Sequence, residues 1–166
     1  MITQRKDDHI TICLDKDVGA GRDHWSDVHL LHNALPEVDM GTLDTGVEIF
    51  GKRLKAPIII SAITGGSERA KTINRNLAEA AARVGVGMGV GSQRPALEEP
   101  ELAHTYEIVM DYDVPLVMGN IGAPQLVEQP GKPPLGIDEC RAAMDMIGAD
   151  ILAIHMNFLQ ETVQPE

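Results

Sequence analysis

The chain has 166 residues, 43% of them hydrophobic and 23% charged, which puts it in the soluble globular class with room for about one domain of ordinary size and excludes disorder and collagen. Its formal net charge of −11 opposes non-specific attraction to nucleic acid or anionic membrane, so an anionic ligand needs a local basic cluster. No apolar run approaches the ~18 residues of a membrane span, and the start carries charges where a secretory signal needs an apolar core, so a cytoplasmic location is expected. Cys13 and Cys140 are too few and too far apart for a disulfide scaffold or a zinc site.

Residues 1–56 lack a regular α/β rhythm and read as an N-terminal extension, with a hairpin expected at Val47-Glu-Ile-Phe-Gly-Lys-Arg-Leu54. Within it, the run Arg5-Lys-Asp-Asp-His9 alone reads as a solvated terminus. From residue 57 short apolar runs alternate with segments of helical period. Four runs stand out: Pro57-Ile-Ile-Ile-Ser-Ala-Ile-Thr64, Val86-Gly-Met-Gly-Val-Gly-Ser92, Pro115-Leu-Val-Met-Gly-Asn-Ile-Gly122 and Asp150-Ile-Leu-Ala-Ile-His-Met-Asn157. Their apolar character does not alternate, which predicts strands buried on both faces, as in a parallel sheet covered by helices.

Helices are expected over 68–84, capped by Ser67 and stopped by Gly85, over 98–112, and over 138–147, with Asp138 as cap and Gly148 as stop. The stretch 128–136 is rich in Pro and Gly and reads as a surface loop. The order is β-α-β-α-β-α-β, with strand starts spaced as βαβ units are. Four parallel strands form either a small open sheet or half of an eight-stranded barrel. The bare edges of a half barrel make truncation the simpler expectation.

In parallel α/β proteins chemistry gathers at strand C-termini. The first run delivers Ser61-Ala-Ile-Thr64-Gly-Gly66, either a turn that needs glycine or a backbone surface for a flat ring or phosphate. The second alternates Gly87, Gly89 and Gly91, so one strand face carries no side chains and either a bulky group or a tightly packed neighbour lies against it. Arg94 just beyond is either a solvated loop residue or a phosphate ligand. In the third, Asn120 is a turn former or an amide for a heterocycle edge. In the fourth, His155 and Asn157 share a face by the two-residue period, while Gln160 and Glu161 offer oxygens of the kind Mg²⁺ accepts.

Taken together, Arg5-Lys-Asp-Asp-His-Ile10, His32-Asn-Ala-Leu-Pro36, Ala56-Pro-Ile-Ile-Ile60 running to Ile63-Thr-Gly-Gly66, Gly91-Ser-Gln-Arg94, Gly119-Asn-Ile-Gly122 and His155-Met-Asn-Phe-Leu-Gln-Glu161 resemble the type 2, flavin-dependent isopentenyl-diphosphate isomerases over nearly the whole chain. The resemblance implies a (β/α)₈ TIM barrel, here an N-terminal extension over 1–56 and the first half of the barrel over 57–166, without strands five to eight. It implies conversion of isopentenyl diphosphate to dimethylallyl diphosphate with FMN, Mg²⁺ and NADPH as flavin reductant.

Carried over by position, the resemblance sets Ala62, Ile63 and Thr64 along the flavin ring with Ser92 and Asn120 at its polar edge. Arg5, Lys6 and Arg94 hold the diphosphate, His155 and Asn157 frame the substrate with Gln160 touching it, and Glu161 ligates Mg²⁺. It further implies a homo-oligomer at full length, with a small isoprenoid diphosphate as partner and no nucleic acid or membrane. Two alternatives stand beside it: an FMN barrel oxidoreductase of the 2-hydroxy-acid oxidase or inosinate dehydrogenase type, and a non-catalytic fragment that folds only by pairing.

Overall fold

The computed structural model describes residues 2–19, 21, 24–129 and 131–157. The extension opens with helix α1 (Ile2–Asp15), so the Arg5–His9 run is helical and half-buried where a solvated terminus is expected. Among the described residues, contacts that dock this helix on the body include the Ser67 hydroxyl donating to Asp7 Oδ1 at 2.7 Å and Arg69 donating to the Thr11 hydroxyl at 2.9 Å. Between α1 and residue 46 the chain exposes Trp25, Leu30, Leu31 and Leu35.

The expected hairpin forms from β1 (Val47–Ile49) and β2 (Lys52–Leu54), turning through Phe50 and Gly51, both at positive φ. It sits at the start of the sheet strands: Leu54 is fully buried, the Lys55 N–H donates to Gly85 C=O, and Lys52 pairs with Asp150 at 2.7 Å.

The main sheet has four parallel strands in sequential order, β3 (Ile59–Ile60), β4 (Gly87–Gly89), β5 (Val117–Gly122) and β6 (Ile151–His155). Order and direction agree with the four apolar runs, although β3 and β4 are shorter than the runs that contain them. The glycine face of β4 is pressed by neighbouring chain: a Cβ at Gly87 would meet Ile59 at 3.1 Å, one at Gly89 would meet the Met118 methyl at 2.7 Å, and one at Gly91 would meet Thr64 backbone at 2.5 Å.

Helix α2 (Glu68–Val84) has the expected ends. Ser67 accepts from the Ala70 N–H, and Gly85 adopts the left-handed conformation that a β-carbon disfavours. Its Ala70, Ala78 and Ala81 are fully buried, with Ala78 and Ala81 packed in one core with Met88, Val90, Tyr106, Val109 and Ile147. The expected single helix over 98–112 does not form. Instead the chain makes α3 (Arg94–Glu98), α4 (His104–Glu107) and 3₁₀ turns at Pro100–Leu102 and Ile108–Asp111. Pro100 has no N–H for a continuous helix, and 3₁₀ turns place buried residues at spacings close enough to 3.6 to mimic one helix.

Helix α5 (Ile137–Met146) starts at Gly136 rather than at a capping Asp138; the Glu139 carboxylate accepts the Gly136 N–H at 2.7 Å, and Asp138 sits in the first turn where the helix dipole favours an anion. The Pro/Gly stretch is an open loop with one bridge between Gln129 and Lys132. No helix among the described residues is long and apolar enough to cross a membrane.

One exposed contact ties α4 to the start of α2: His104 Nε2 lies 2.5 Å from Glu68 Oε1, with Nδ1 2.7 Å from Glu101 C=O. The Glu68 carboxylate, then the Glu101 carbonyl, hold the imidazole above its ordinary value of 6.5, and His104 holds Glu68 below 4.5. The histidine contribution is complete below 6.5 and fades as pH rises through its raised value; the glutamate contribution is complete above 4.5 and fades as pH falls through its lowered value. Both are therefore complete between 4.5 and 6.5. A His104→Gln variant should lower the urea midpoint within that window and flatten its pH dependence on either side, by a small amount because the pair is exposed. An unchanged profile would remove the pair from the stability of the fold.

Candidate functional site

The C-terminal ends of the four strands open on one cavity of about 270 Å³. Helix α1 supplies Arg5, Lys6 and His9, the segment after β3 supplies Ala62 and Ile63, the turn after β4 supplies Gly91, Ser92, Arg94 and Pro95, and the last two strands supply Asn120, His155 and Asn157. Ten residues singled out in the sequence thus meet around one space, from Arg5 at one end of the chain to Asn157 at the other. Thr64 does not line it; the side chain is buried and the carbonyl is held from behind. Gln160 and Glu161 lie outside the described residues, and among the described residues no group of three or more His, Cys, Asp or Glu is placed to hold a metal ion.

The N-terminal contributors share a helix face: Arg5 and His9 are four residues apart, one turn of α1. That period was present in the sequence, but neither His9 nor Pro95 was marked by it as a cavity residue. Among the described residues, Arg5 Nε is buried without a hydrogen-bond partner. An orphaned cationic donor beside Lys6, with Arg94 across the cavity, is a mark of a site built for an anion, because such a group is costly unless something accepts from it. Burial, then the charges of Lys6 and Arg5, push the His9 imidazole below its usual value, with Asp8 opposing. Along α1 the wall therefore carries its positive charge on Arg5 and Lys6 rather than on His9, within a chain of net charge −11.

At the strand ends, Asn120 Oδ1 lies 2.8 Å from His155 Nδ1, so the amide carbonyl accepts from that ring nitrogen and orients the imidazole. Ser92 and the Asn120 amide offer polar contacts, Gly91 adds a wall without a side chain, and Ile63 presents an exposed apolar surface. A bare backbone wall, an apolar face and edge-on polar groups make a donor set suited to a flat heterocycle such as a flavin ring.

Behind this wall lies a buried polar lattice that the sequence did not disclose. Asn74 of α2, 1% exposed, donates to Thr64 C=O at 3.3 Å and to Thr105 C=O at 3.1 Å. Gly91 N–H also donates to Thr64 C=O, and Gly66 N–H donates to the Thr105 hydroxyl. Tyr106, fully buried, donates its phenol to Ser92 C=O at 2.7 Å; burial raises that phenol far above its ordinary value, so it stays a neutral donor. The only signal of this set was polar residues on helical stretches otherwise read as apolar. Asn74→Leu should cost about 1–3 kcal/mol, because two buried carbonyls lose a donor and gain none. A chemical denaturation midpoint equal to wild type would show that they find other partners.

Residues 14–128 match the FMN-dependent dehydrogenase family. Among curated proteins, the chain is 50% identical over 166 residues to a protein of Thermoplasma acidophilum named isopentenyl-diphosphate delta-isomerase, covering all of this chain and 47% of that protein. Proteins of the same name from Archaeoglobus fulgidus and Methanococcus aeolicus are 45% and 46% identical, with 99% and 98% of this chain and 46% and 45% of theirs covered. The chain thus spans about half the length of the curated relatives it matches. With parallel strands whose ends carry a flavin-suited wall and most of its length within the family match, this chain belongs to the FMN-dependent dehydrogenase family.

Proposed function

We propose that the chain is the first half of a (β/α)₈ barrel, with residues 1–56 as its extension, in an enzyme that converts isopentenyl diphosphate to dimethylallyl diphosphate on reduced FMN. The observation that carries this reading is the meeting of Arg5, Lys6 and Arg94 with Ala62, Ile63, Ser92, Asn120 and His155 around one cavity. A dehydrogenase of a small hydroxy acid has no need of three cations for one ligand, whereas a diphosphate does. The name shared by relatives that are 45–50% identical supports the same conclusion.

The reaction adds a proton to one carbon and removes one from another, with no net redox change, and neither carbon is acidic enough for an ordinary side chain. The chemistry that reduced FMN supplies, when bound, is a proton donor and acceptor at N5 beside an electron-rich ring. The chain does the rest. Arg5, Lys6 and Arg94 bind the diphosphate through charge-assisted hydrogen bonds and fix the reacting carbons in place. Ala62 and Ile63 form the floor for the ring, with Ser92 and Asn120 at its edge and Thr64 supporting the segment from behind. His155, oriented by Asn120, and Asn157 would frame the substrate with Gln160, and Glu161 would hold Mg²⁺, which would supply charge neutralisation for the diphosphate. Helix α1 forms one wall of the cavity through Arg5, Lys6 and His9.

NADPH as flavin reductant, a homo-oligomeric full-length protein, a cytoplasmic location and the absence of nucleic-acid or membrane partners complete the proposal. The test uses the full-length protein that carries this chain, with FMN reduced anaerobically, Mg²⁺ and isopentenyl diphosphate. Dimethylallyl diphosphate should form over many turnovers without net flavin oxidation. The second reading, an FMN oxidoreductase, is favoured by the description of the matched family. Reduction of the flavin by a 2-hydroxy acid, with no allylic product from the diphosphate, would replace the first reading with that one.

A further inference from the structure

We infer that Gln93 is a positioning residue that sets the Asn120–His155 pair at the strand ends. Strand β4 ends at Gly89 while β5 continues to Gly122. The ladder between them runs in step as far as Val90, whose N–H donates to Met118 C=O at 3.1 Å. There the chain leaves register: Gly91 N–H turns to Thr64, and it is Gln93 whose N–H donates to Asn120 C=O at 2.8 Å. The Asn120 N–H, left without a facing strand carbonyl, donates instead to Gln93 Oε1 at 3.0 Å. One residue therefore holds both backbone polar groups of Asn120, in the manner of a strand that is no longer there.

The other end of the same amide is anchored. Gln93 Nε2 donates to Ala143 C=O in α5 at 2.7 Å and contacts Met146 Sδ at 3.5 Å, and the residue is fully buried. An amide accepts only through its oxygen and donates only through its nitrogen, so this pair of partners permits one orientation. The chain of contacts runs from α5 through Gln93 to the Asn120 backbone, and from the Asn120 side chain to His155 Nδ1 at 2.8 Å. Gln93 does not line the cavity; it acts through the two residues that do. An amide oxygen can only accept, so this contact favours the tautomer that carries a proton on Nδ1.

The inference rests on the proposed function only for its relevance to catalysis, and its test is independent of activity. The full-length protein labelled with ¹⁵N-histidine is compared as wild type, Gln93→Leu and Gln93→Asn. Wild type should show His155 as the Nδ1–H tautomer at neutral pH. Gln93→Leu loses both bonds of the amide, and Gln93→Asn is one methylene too short to reach Asn120 and Ala143 together. In both, the His155 nitrogen resonances should move toward the average of two tautomers. Gln93→Glu, which as a buried neutral acid accepts from Asn120 and donates to Ala143, should restore the wild-type pattern. Ile147→Val trims the same core without touching Asn120 and should lower stability with no change at His155. Should Gln93→Leu fail to fold, Gln93→Asn carries the comparison. Wild-type His155 resonances in a folded Gln93→Leu or Gln93→Asn protein, or an equal shift in Ile147→Val, would overturn the assignment. Absence of isomerase activity with the expected resonance shifts would instead count against the proposed function alone.

Discussion

Gly91→Ala should destabilise the protein by roughly 1–3 kcal/mol or more, with loss of flavin from the site. The added carbon would lie 2.5 Å from the Thr64 carbonyl carbon and 2.7 Å from its Cα and oxygen. These are backbone atoms, so no rotamer change relieves the contact; the segment after β3 and the turn after β4 must move apart. That movement breaks the 2.9 Å bond from Gly91 N–H to Thr64 C=O and loosens Asn74 from the same carbonyl. Gly89→Ala is the internal comparison, because the nearest atom there is the mobile methyl end of Met118, at 2.7 Å. Methionine can swing away, so Gly89→Ala should cost clearly less. Urea midpoints and flavin absorbance of the two variants decide the matter; equal losses would show that the contact at Gly91 relaxes freely.

The alternation of Gly87, Gly89 and Gly91 was readable because β-strand geometry puts every second residue on one face, and a missing side chain there has few meanings. What pressed on that face was not readable: the atoms come from Ile59, Ala62 and Thr64 on one side and from Leu116 and Met118 on the other, and sequence spacing says nothing of how closely strands approach. The strand ends were legible for the same reason. His155 and Asn120 each end an apolar run, and parallel topology brings such ends to one edge.

Helix α1 was the opposite case. Its Arg5-Lys6 pair beside two aspartates has the composition of a solvated terminus, and tertiary contacts such as those from Ser67 and Arg69, some 60 residues on, dock it on the body. The stretch over 98–112 misled for a local reason: buried Thr105, Tyr106 and Val109 fall at spacings of three and four, which short 3₁₀ and α turns satisfy as well as one helix does. The lattice of Asn74, Gln93 and Thr105 was illegible because its partners are backbone carbonyls and N–H groups, which leave no mark in a sequence.

Arg5→Ala should separate stability from ligand binding. In the unliganded protein the guanidinium keeps a buried Nε with nothing among the described residues to accept from it, an arrangement that costs folding about 1–3 kcal/mol for an unmet donor. Removing it should leave the denaturation midpoint unchanged or raise it, the reverse of what deletion of a half-buried side chain usually does. Anion binding should move the other way. A hydrogen bond to a charged group is worth about 1.5–3 kcal/mol, so affinity of the full-length protein for inorganic pyrophosphate should fall about 10- to 150-fold. Arg5→Lys restores the charge without the forked donors and should recover only part of that loss. Because Lys6 and Arg94 remain, the residual binding should weaken further with added salt. Calorimetric titration with pyrophosphate, paired with urea denaturation of the same variants, measures both sides. A stability loss without any change in pyrophosphate affinity would mean that Arg5 packs α1 against the body and does not serve the anion.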